Sequence, residues 1–314
     1  MSIFERLLID LPFNSSELRI LIQTGPHRYK VHNIEKRRGG KRLIAQPTAE
    51  LKLLQRWVVQ NVLKQLPLHD AAKAYRIGGS TKAHAAPHAK SKFLMKLDFE
   101  NFFPSLGERA LAYAFRNAKI SISDEDRRVL SRILFRFDRA IGRLSLSIGA
   151  PSSPAVSNLV MFRFDSLLSE VCSKSEVVYT RYADDLAFST DVPYALDGIK
   201  AVVTKLCLEE ASLNLKLNEA KTVNVSRKFH RELTGITLSN DGRLSLGHAK
   251  RRLIRSMIDR YSKGLFDEEQ VRYLQGLLAY AISIDPSVFT LAERRLSREG
   301  ALALLRGIPA ASIK

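Results

Sequence analysis

The sequence predicts an α+β protein, and three observations lead to this prediction. Segments such as "KFLMKLDF" and "VVYTRYADDLAFS" are rich in the β-branched and aromatic residues that favour strands. Amphipathic stretches with capping residues lie between these segments, and the last third of the chain has a helical pattern. The resulting order of strand, helix, hairpin, helix and strand is typical of a ferredoxin-like sheet.

The N-terminal part is predicted to hold two helices and a hairpin. "NSSELRILIQT" predicts a capped helix that starts near Ser15 or Ser16, and "PTAELKLLQRWVVQNVLKQL" predicts a longer one. The basic segment between them contains Gly39 and Gly40, which favour the turn of a β-hairpin.

The middle of the chain alternates between strands and helices. "KFLMKLDFENFFPSL" begins as a strand and breaks at Pro104, so that Asp98 falls at a strand end. "SIGAPSSPAVSNLVMFRFDSLLSEV" predicts a loop that leads into a helix with Pro154 in its first turn. After the "YADD" hairpin, we expect a helix over about 194–212 and short strands near 222–225, 233–238 and 243–246.

From His248 onward the chain is predicted to form a small helical bundle with one basic face. In "HAKRRLIRSMIDRYSKG" an apolar stripe is expected to pack inward, and Gly264 is expected to end the helix. The stripe consists of Leu253, Ile254, Met257, Ile258 and Tyr261.

Composition limits the class of protein. With 314 residues and 45% apolar content, the chain can bury a large core. No stretch approaches the roughly 18 to 20 apolar residues of a membrane span, and Glu5 and Asp10 interrupt the N-terminus where a signal peptide needs an apolar block. The two cysteines, Cys172 and Cys207, lack metal-type spacing. We therefore expect a cytoplasmic protein with no membrane partner.

A formal net charge of +18 is the strongest bulk signal, because such an excess attracts polyanions. Residues 28–42 contain seven Lys and Arg against one acid, and residues 227–263 contain ten against three. A single basic run is often only a solvated face. Two such clusters on either side of an acidic turn favour nucleic acid as the partner.

The acidic turn indicates chemistry. Asp184 and Asp185 sit at the predicted hairpin tip, and Asp98 ends a strand expected to lie beside it. Adjacent carboxylates repel each other unless cations separate them, and oxygen ligands suit Mg²⁺. Two such ions stabilise the attacking and leaving oxygens of an in-line phosphoryl displacement. The alternative is that Asp-Asp is simply a favourable turn sequence.

Four ordered segments resemble the motifs of bacterial reverse transcriptases. They are "MKLDFENFFPSL", "GAPSSPAVSNLVMFRFD", "YTRYADDLAFS" and "LNLKLNEAKTVNV", within a match that covers about residues 28–246. The resemblance implies a right-hand polymerase with fingers, a ferredoxin-like palm and a helical thumb. Its expected bounds are 1–92 with part of 120–150 for the fingers, 93–238 for the palm and 239–314 for the thumb.

The resemblance also implies roles for individual residues. Asp98, Asp184 and Asp185 match the carboxylates that hold two Mg²⁺ ions, and the Phe99 carbonyl would be a further ligand. Phe103 matches the gate that rejects a 2′-hydroxyl. The remaining two matches, Lys221 in the palm and Arg42 in the fingers, would meet the triphosphate of a deoxynucleotide. One departure is Ser147-Ile148, where the family usually has Pro-Gln, so nucleotide handling is expected to differ.

Within that family the chain resembles retron reverse transcriptases. The first signal is "HAAPH", in which His84 stands where these enzymes usually have Asn and His88 matches a terminal His. The second is Leu233-Thr234-Gly235, which is similar to a Val-Thr-Gly triplet. Both elements are expected to help bind RNA. Four basic residues of the C-terminal part are expected to meet RNA phosphates: Lys250, Arg251, Arg252 and Arg255.

A retron enzyme would bind a cognate structured non-coding RNA and prime from a guanosine 2′-hydroxyl. It would copy part of that RNA into covalently linked multicopy single-stranded DNA. An antiphage role with an effector protein would follow. Two alternatives stay open at this point. One is a reverse transcriptase of the group II intron or diversity-generating type, and the other is a non-catalytic RNA-binding scaffold.

Overall fold

A computed structural model describes residues 1–35 and 39–306, which fall into two compact units. The first unit comprises Met1–Gly79 and Met95–Asn224. The second comprises Ser80–Leu94 and the described residues from Val225 onward. Three members of the N-terminal basic cluster, Lys36, Arg37 and Arg38, lie outside the described residues. Among the residues that are described, no helix is long and apolar enough to cross a membrane.

Both units contain helices and strands. In chain order, the helices are α1 (Ile3–Asp10), α2 (Ser15–Thr24), α3 (Ala49–Asn61), α4 (Thr81–Ala85), α5 (Phe102–Ser105), α6 (Glu108–Asn117), α7 (Asp124–Leu134), α8 (Ser153–Val160), α9 (Phe162–Lys174), α10 (Ile199–Glu209), α11 (Gly247–Ser262), α12 (Glu268–Ile284) and α13 (Ser287–Leu305). The strands are β1 (Tyr29–Glu35), β2 (Lys41–Pro47), β3 (Phe93–Asp98), β4 (Arg136–Asp138), β5 (Arg143–Ser145), β6 (Val178–Tyr182), β7 (Asp185–Thr190), β8 (Val223–Ser226), β9 (Glu232–Leu233), β10 (Ile236–Leu238) and β11 (Leu244–Ser245).

The largest sheet has four strands in the order β6-β7-β3-β8. Numbered along the chain, this is the 2-3-1-4 arrangement of a ferredoxin-like unit, with α6 to α9 before the β6–β7 hairpin and α10 after it. Tyr179 pairs with Phe188 across the hairpin, and their rings stack with centroids 5.1 Å apart. The α+β prediction is confirmed.

The N-terminal elements follow their local signals. Asn14 caps α2 through a reciprocal capping box with Glu17, so the helix begins at the predicted Ser15. Strands β1 and β2 form the predicted hairpin, in register from Tyr29 opposite Pro47 to Glu35 opposite Lys41.

Gly149 has φ +116 and approaches the Ala45 carbonyl so closely that an added Cβ would lie 2.9 Å from it.

One predicted helix is shorter than expected. Instead of covering about 194–212, α10 begins at Ile199 and ends at Glu209. Tyr194 has φ 65, a left-handed conformation that is incompatible with a continuous right-handed helix through this residue. The amphipathic sequence pattern therefore begins before Ile199, where the backbone becomes helical, and continues past Glu209, where the helix ends.

The second unit contains the sheet β11-β10-β9 and the helices α11, α12 and α13, the last of which is interrupted at Ser297, where φ is 65. The prediction that Leu253 packs inward is wrong, since 47% of it is exposed. Ile254, Ile258 and Tyr261 are buried instead, and their spacing of four and three residues places them on one side of α11. Leu253 lies about 100° around the helix from Ile254 and misses that side.

Candidate active site

Asp184 and Asp185 lie where the β6–β7 hairpin turns. Tyr182 pairs with Asp185, which leaves Ala183 and Asp184 as the loop. Ala183 has φ 57, a left-handed conformation that is uncommon for a residue with a side chain. Asp185 is the first residue of β7, so the two carboxylates are presented from one end of the sheet.

Asp98 ends the neighbouring strand β3 and is 5% exposed. The next residue, Phe99, donates its backbone N–H to the Asp184 carbonyl at 3.2 Å. Asp98 is close enough to Asp185 to raise the pKa of the Asp185 carboxyl. The structure therefore places the three acidic residues, which were predicted from distant parts of the sequence, at the same end of the sheet.

The charges of this cluster are only partly compensated. Burial, followed by repulsion from Asp184 and Asp98, raises the pKa of Asp185 to about 7. Burial and Asp98 likewise raise the pKa of Asp184. Lys221 donates to both carboxylate oxygens of Asp98 at 2.8 Å. Its positive charge partly offsets the rise in the pKa of Asp184 and of Asp185.

A cavity of about 560 Å³ opens beside these acids. Arg42 and Lys221 line it with Asp98 and Asp184, and Phe99 and Phe103 form an aromatic side. Arg42 is close enough for its positive charge to offset part of the rise in the pKa of Asp184. Six of the seven residues predicted for metal and nucleotide binding thus line one cavity, and the seventh, Asp185, is next to Asp184 in the chain.

The donor set suits a hard divalent cation. It consists of carboxylate oxygens, and burial together with mutual repulsion raises the pKa values of Asp184 and Asp185, so a cation between them would be stabilising. Lys221 now supplies part of that charge at Asp98. Within residues 1–35 and 39–306, no three His, Cys, Asp or Glu side chains are already gathered as a metal-binding group.

Comparison with known proteins identifies the chain. A family model described as reverse transcriptase (RNA-dependent DNA polymerase) matches residues 34–274. The retron Ec83 reverse transcriptase of Escherichia coli is 36% identical over 279 residues, which cover 88% of this chain and 89% of that protein. The retron Ec73 reverse transcriptase of the same species is 32% identical, covering 88% and 90% respectively. The chain belongs to the retron-type reverse transcriptases.

The enzyme is thus an RNA-directed DNA polymerase with a right-hand fold. Among solved structures, the telomerase of Candida albicans in complex with a TWJ fragment of telomeric RNA has a similar fold, with a TM-score of 0.51 and 12% identity. The match covers 89% of the reverse transcriptase and 62% of the telomerase, so this chain spans about three fifths of the telomerase's length.

Tyr75 is a cavity residue that the sequence did not reveal. It lines the cavity, and its ring centroid lies 6.2 Å from that of Phe103. Its backbone is left-handed, with φ 59. A single tyrosine in "AKAYRIGGS" has no periodic signal, and only the fold places it beside Phe103.

The departure at Ser147-Ile148 also falls at this cavity. Ile148 lines it, and its carbonyl accepts the Ala45 N–H at 2.8 Å. Ser147 is buried, and its carbonyl accepts the Ser153 hydroxyl at 2.7 Å. An apolar side chain therefore faces the cavity of this reverse transcriptase where the family usually has a polar one.

The predicted RNA-binding residues all lie in the second unit. His84 and His88 are fully buried, with ring centroids 6.1 Å apart. Burial, followed by the charge of His84, lowers the pKa of His88 to about 3, so His88 is neutral at physiological pH. Because neither imidazole reaches the surface, any effect on RNA must act through the elements that they support.

Thr234 and Gly235 form the two-residue turn between β9 and β10, with φ values of 46 and 81. Helix α4, which carries His84, packs against this hairpin. Lys250 donates to the Gly235 carbonyl at 2.7 Å. The two retron-like elements and one of the predicted cations are therefore parts of one cluster in the second unit.

The arginines of α11 differ in their surroundings. Arg251 forms an ion pair with Asp285 and donates to the Ser287 hydroxyl. Arg251 is therefore paired, although its side chain is 39% exposed, and its contact with RNA phosphates stays a prediction. Arg252 and Arg255 are accessible.

We expect the metal-free enzyme to lose stability as pH rises through about 7. The folded-state pKa of Asp185 lies above that of an unfolded aspartate, so folding favours the protonated form, and this stabilisation disappears on ionisation. Relative to wild type, Asp185→Asn should raise Tm by about 2 °C more at pH 8 than at pH 5, or roughly 1 kcal/mol. Thermal melts in chelator provide the measurement.

Asp197→Asn serves as the control for these melts, because Asp197 is exposed. It should change Tm equally at both pH values. A pH-independent effect of Asp185→Asn would contradict the proposed repulsion among the acids.

Proposed function

We propose that this reverse transcriptase copies part of a cognate structured non-coding RNA into single-stranded DNA that stays covalently attached to the RNA. The observation that carries the proposal is the cavity in which Asp98 and Asp184 meet two cationic side chains and an aromatic wall. Such a site can bind a nucleoside triphosphate at its phosphates and its sugar. The similarity to proteins named retron reverse transcriptases supports the inference that the template is a cognate structured RNA.

In the proposed mechanism, Asp98, Asp184 and Asp185 would hold two Mg²⁺ ions, and the Phe99 carbonyl would be a further ligand. When bound, the ions supply positive charge for in-line displacement at the α-phosphate. Arg42 and Lys221 bind the triphosphate of the deoxynucleotide and orient it. Lys221, whose side chain is 49% exposed, neutralises Asp98 until substrate arrives.

Phe103 lies under the sugar and excludes a 2′-hydroxyl. The first nucleophile is a guanosine 2′-hydroxyl of the bound RNA: its oxygen forms the new bond to the α-phosphate, its proton is released, and pyrophosphate leaves, so that RNA and DNA are covalently linked. We also infer a cytoplasmic role in antiphage defence with an effector protein. This inference rests on the similarity to retron enzymes.

The proposal is tested by sequencing the nucleic acid that copurifies with the enzyme expressed from its own locus. One folded RNA should predominate, carrying DNA complementary to part of it that stays attached after denaturation. DNA derived from an intron or a mutagenised repeat would indicate one of the other bacterial types. Specific RNA without DNA would indicate a non-catalytic scaffold, and random RNA would overturn the proposal.

Recognition of the cognate RNA should depend on the exposed arginines of α11. We expect Arg252→Ala with Arg255→Ala to weaken binding of the cognate RNA at least tenfold more than binding of an arbitrary RNA–DNA hybrid. Phosphate contacts alone lower affinity for any ligand, whereas a folded RNA can match the spacing of both cations. Each lost contact should reduce the slope of log affinity against log salt by about 0.7 to 0.9.

A salt titration of both ligands measures this effect. Arg272→Ala is a matched control, because Arg272 is an exposed helical arginine whose side chain pairs with Glu268 on its own helix. Equal losses of affinity for the two ligands would show that α11 does not recognise the cognate RNA specifically.

A further inference from the structure

A buried ion pair lies behind the turn that presents Asp184 and Asp185. Arg181 and Asp165 are both 0% exposed. The Arg181 guanidinium donates two hydrogen bonds to the Asp165 carboxylate, from Nε at 2.9 Å and from Nη2 at 2.6 Å. Such a planar, two-point contact fixes the orientation of the guanidinium as well as its position.

The remaining guanidinium nitrogen reaches the turn itself. Arg181 Nη1 donates to the Ala183 carbonyl at 3.1 Å. Ala183 is the left-handed residue immediately before Asp184. Asp165 thus fixes the orientation of the Arg181 guanidinium, and the guanidinium in turn holds the Ala183 carbonyl just before the two acidic residues.

This turn requires support from outside the hairpin. Asp184 and Asp185 repel each other and Asp98, and Ala183 adopts a conformation that alanine disfavours. Both effects favour a rearrangement of the loop. A charge-assisted hydrogen bond to the Ala183 carbonyl opposes that rearrangement, and it comes from a side chain that is itself immobilised.

The backbone of Arg181 has a separate task. Its N–H donates to the Ala71 carbonyl at 2.8 Å, and its carbonyl accepts the Lys73 N–H at 2.7 Å. These bonds hold the segment that leads to Tyr75 on the cavity wall. A side-chain substitution at position 181 therefore removes the support of the turn and keeps the backbone bonds to the wall.

We propose that Arg181, oriented by Asp165, is a positioning residue for DNA synthesis that fixes the Ala183 carbonyl and thereby the placement of Asp184 and Asp185. The proposal rests on the proposed function for its catalytic consequence. A purely structural ion pair would change stability and leave the turnover of the folded enzyme unaltered.

Arg181→Lys tests the proposal, because an ammonium group cannot grip Asp165 with two nitrogens while reaching Ala183. We expect kcat for primer extension to fall at least tenfold, with KM for the deoxynucleotide changed less than twofold. Tyr179→Phe is the matched control. It removes the hydroxyl that donates to the same Asp165 carboxylate at 2.8 Å and leaves the bond to Ala183. A folded Arg181→Lys enzyme with normal kcat would overturn the proposal, as would an equal loss in Tyr179→Phe.

Binding of Mn²⁺ alone provides a second measurement that does not depend on polymerisation. Its affinity should fall at least tenfold in Arg181→Lys and stay unchanged in Tyr179→Phe. If wild type binds Mn²⁺ but does not extend primers, the proposed function fails and the Mn²⁺ comparison still decides the role of Arg181. Unchanged Mn²⁺ affinity in Arg181→Lys would overturn that role.

Should Arg181→Lys fail to fold, Arg181→Met combined with Asp165→Asn replaces it. This pair leaves no unpaired buried charge, and the amide oxygen introduced at position 165 can still accept the Tyr179 hydroxyl. The double variant lacks any side-chain donor from position 181 to the Ala183 carbonyl, so the same losses of kcat and Mn²⁺ affinity are expected. Normal values of both would overturn the proposal.

Discussion

Asp184→Asn is expected to abolish most Mg²⁺-dependent DNA synthesis while leaving RNA binding largely intact. The substitution keeps the shape of the turn and removes one negative charge from the cluster of three acids. Metal-ion catalysis contributes several kcal/mol of transition-state stabilisation, so extension should slow by on the order of a hundredfold or more. RNA binding should persist because the carboxylate repels phosphate and contributes nothing to RNA affinity.

Single-turnover extension of a primed RNA template measures the first effect, and an RNA-binding titration measures the second. Asp185→Asn should behave in the same way. Asp197→Asn removes the same charge from an exposed site and should extend normally. Normal extension by Asp184→Asn would refute the proposed polymerase mechanism.

The second large effect is expected at Phe103. Its ring is half-buried, faces the cavity and lies beside Tyr75 and Phe102, with centroid distances of 6.2 and 5.6 Å. Phe103→Ala would open space beneath the nucleotide sugar. Since steric discrimination of this kind is worth about 1 to 3 kcal/mol, selectivity for deoxynucleotides over ribonucleotides should fall roughly 10- to 100-fold.

The measurement is the ratio of kcat/KM for a matched deoxynucleotide and ribonucleotide. Tyr75→Phe keeps the neighbouring ring and serves as the control, with selectivity close to wild type. An unchanged ratio in Phe103→Ala would show that the gate lies elsewhere, and the apolar Ile148 would then be the next side chain to test.

Local patterns in the sequence were enough to locate the elements that carry the acids. Residue type predicted β3 and the β6–β7 hairpin, because strand propensity and turn chemistry depend on neighbours along the chain. For the same reason the N-terminal helix and the β1–β2 hairpin were predicted correctly. The retron-type family and the polymerase activity were also evident, since four ordered motifs identified them before any contact was known.

Local patterns were less reliable wherever burial decided the outcome. Leu253 belongs to an apolar run, yet the side of α11 that packs in the bundle excludes it. Arg251 is basic like Arg252, yet Asp285, in the connection between α12 and α13, pairs with it. His84 and His88 resemble polar loop residues, but both are buried.

The sequence by itself determined the fold class, the family and the three carboxylates of the candidate site. Only the tertiary structure decided which groups surround them. Lys221 lies 123 positions from Asp98, and Arg181 lies 16 positions from Asp165, yet each pair is in direct contact. Such contacts depend on how whole elements pack, and no helical or strand period in the sequence encodes them. Tyr75, Arg181 and Asp165 therefore became visible only when the sheet, its hairpin and the neighbouring helices were assembled.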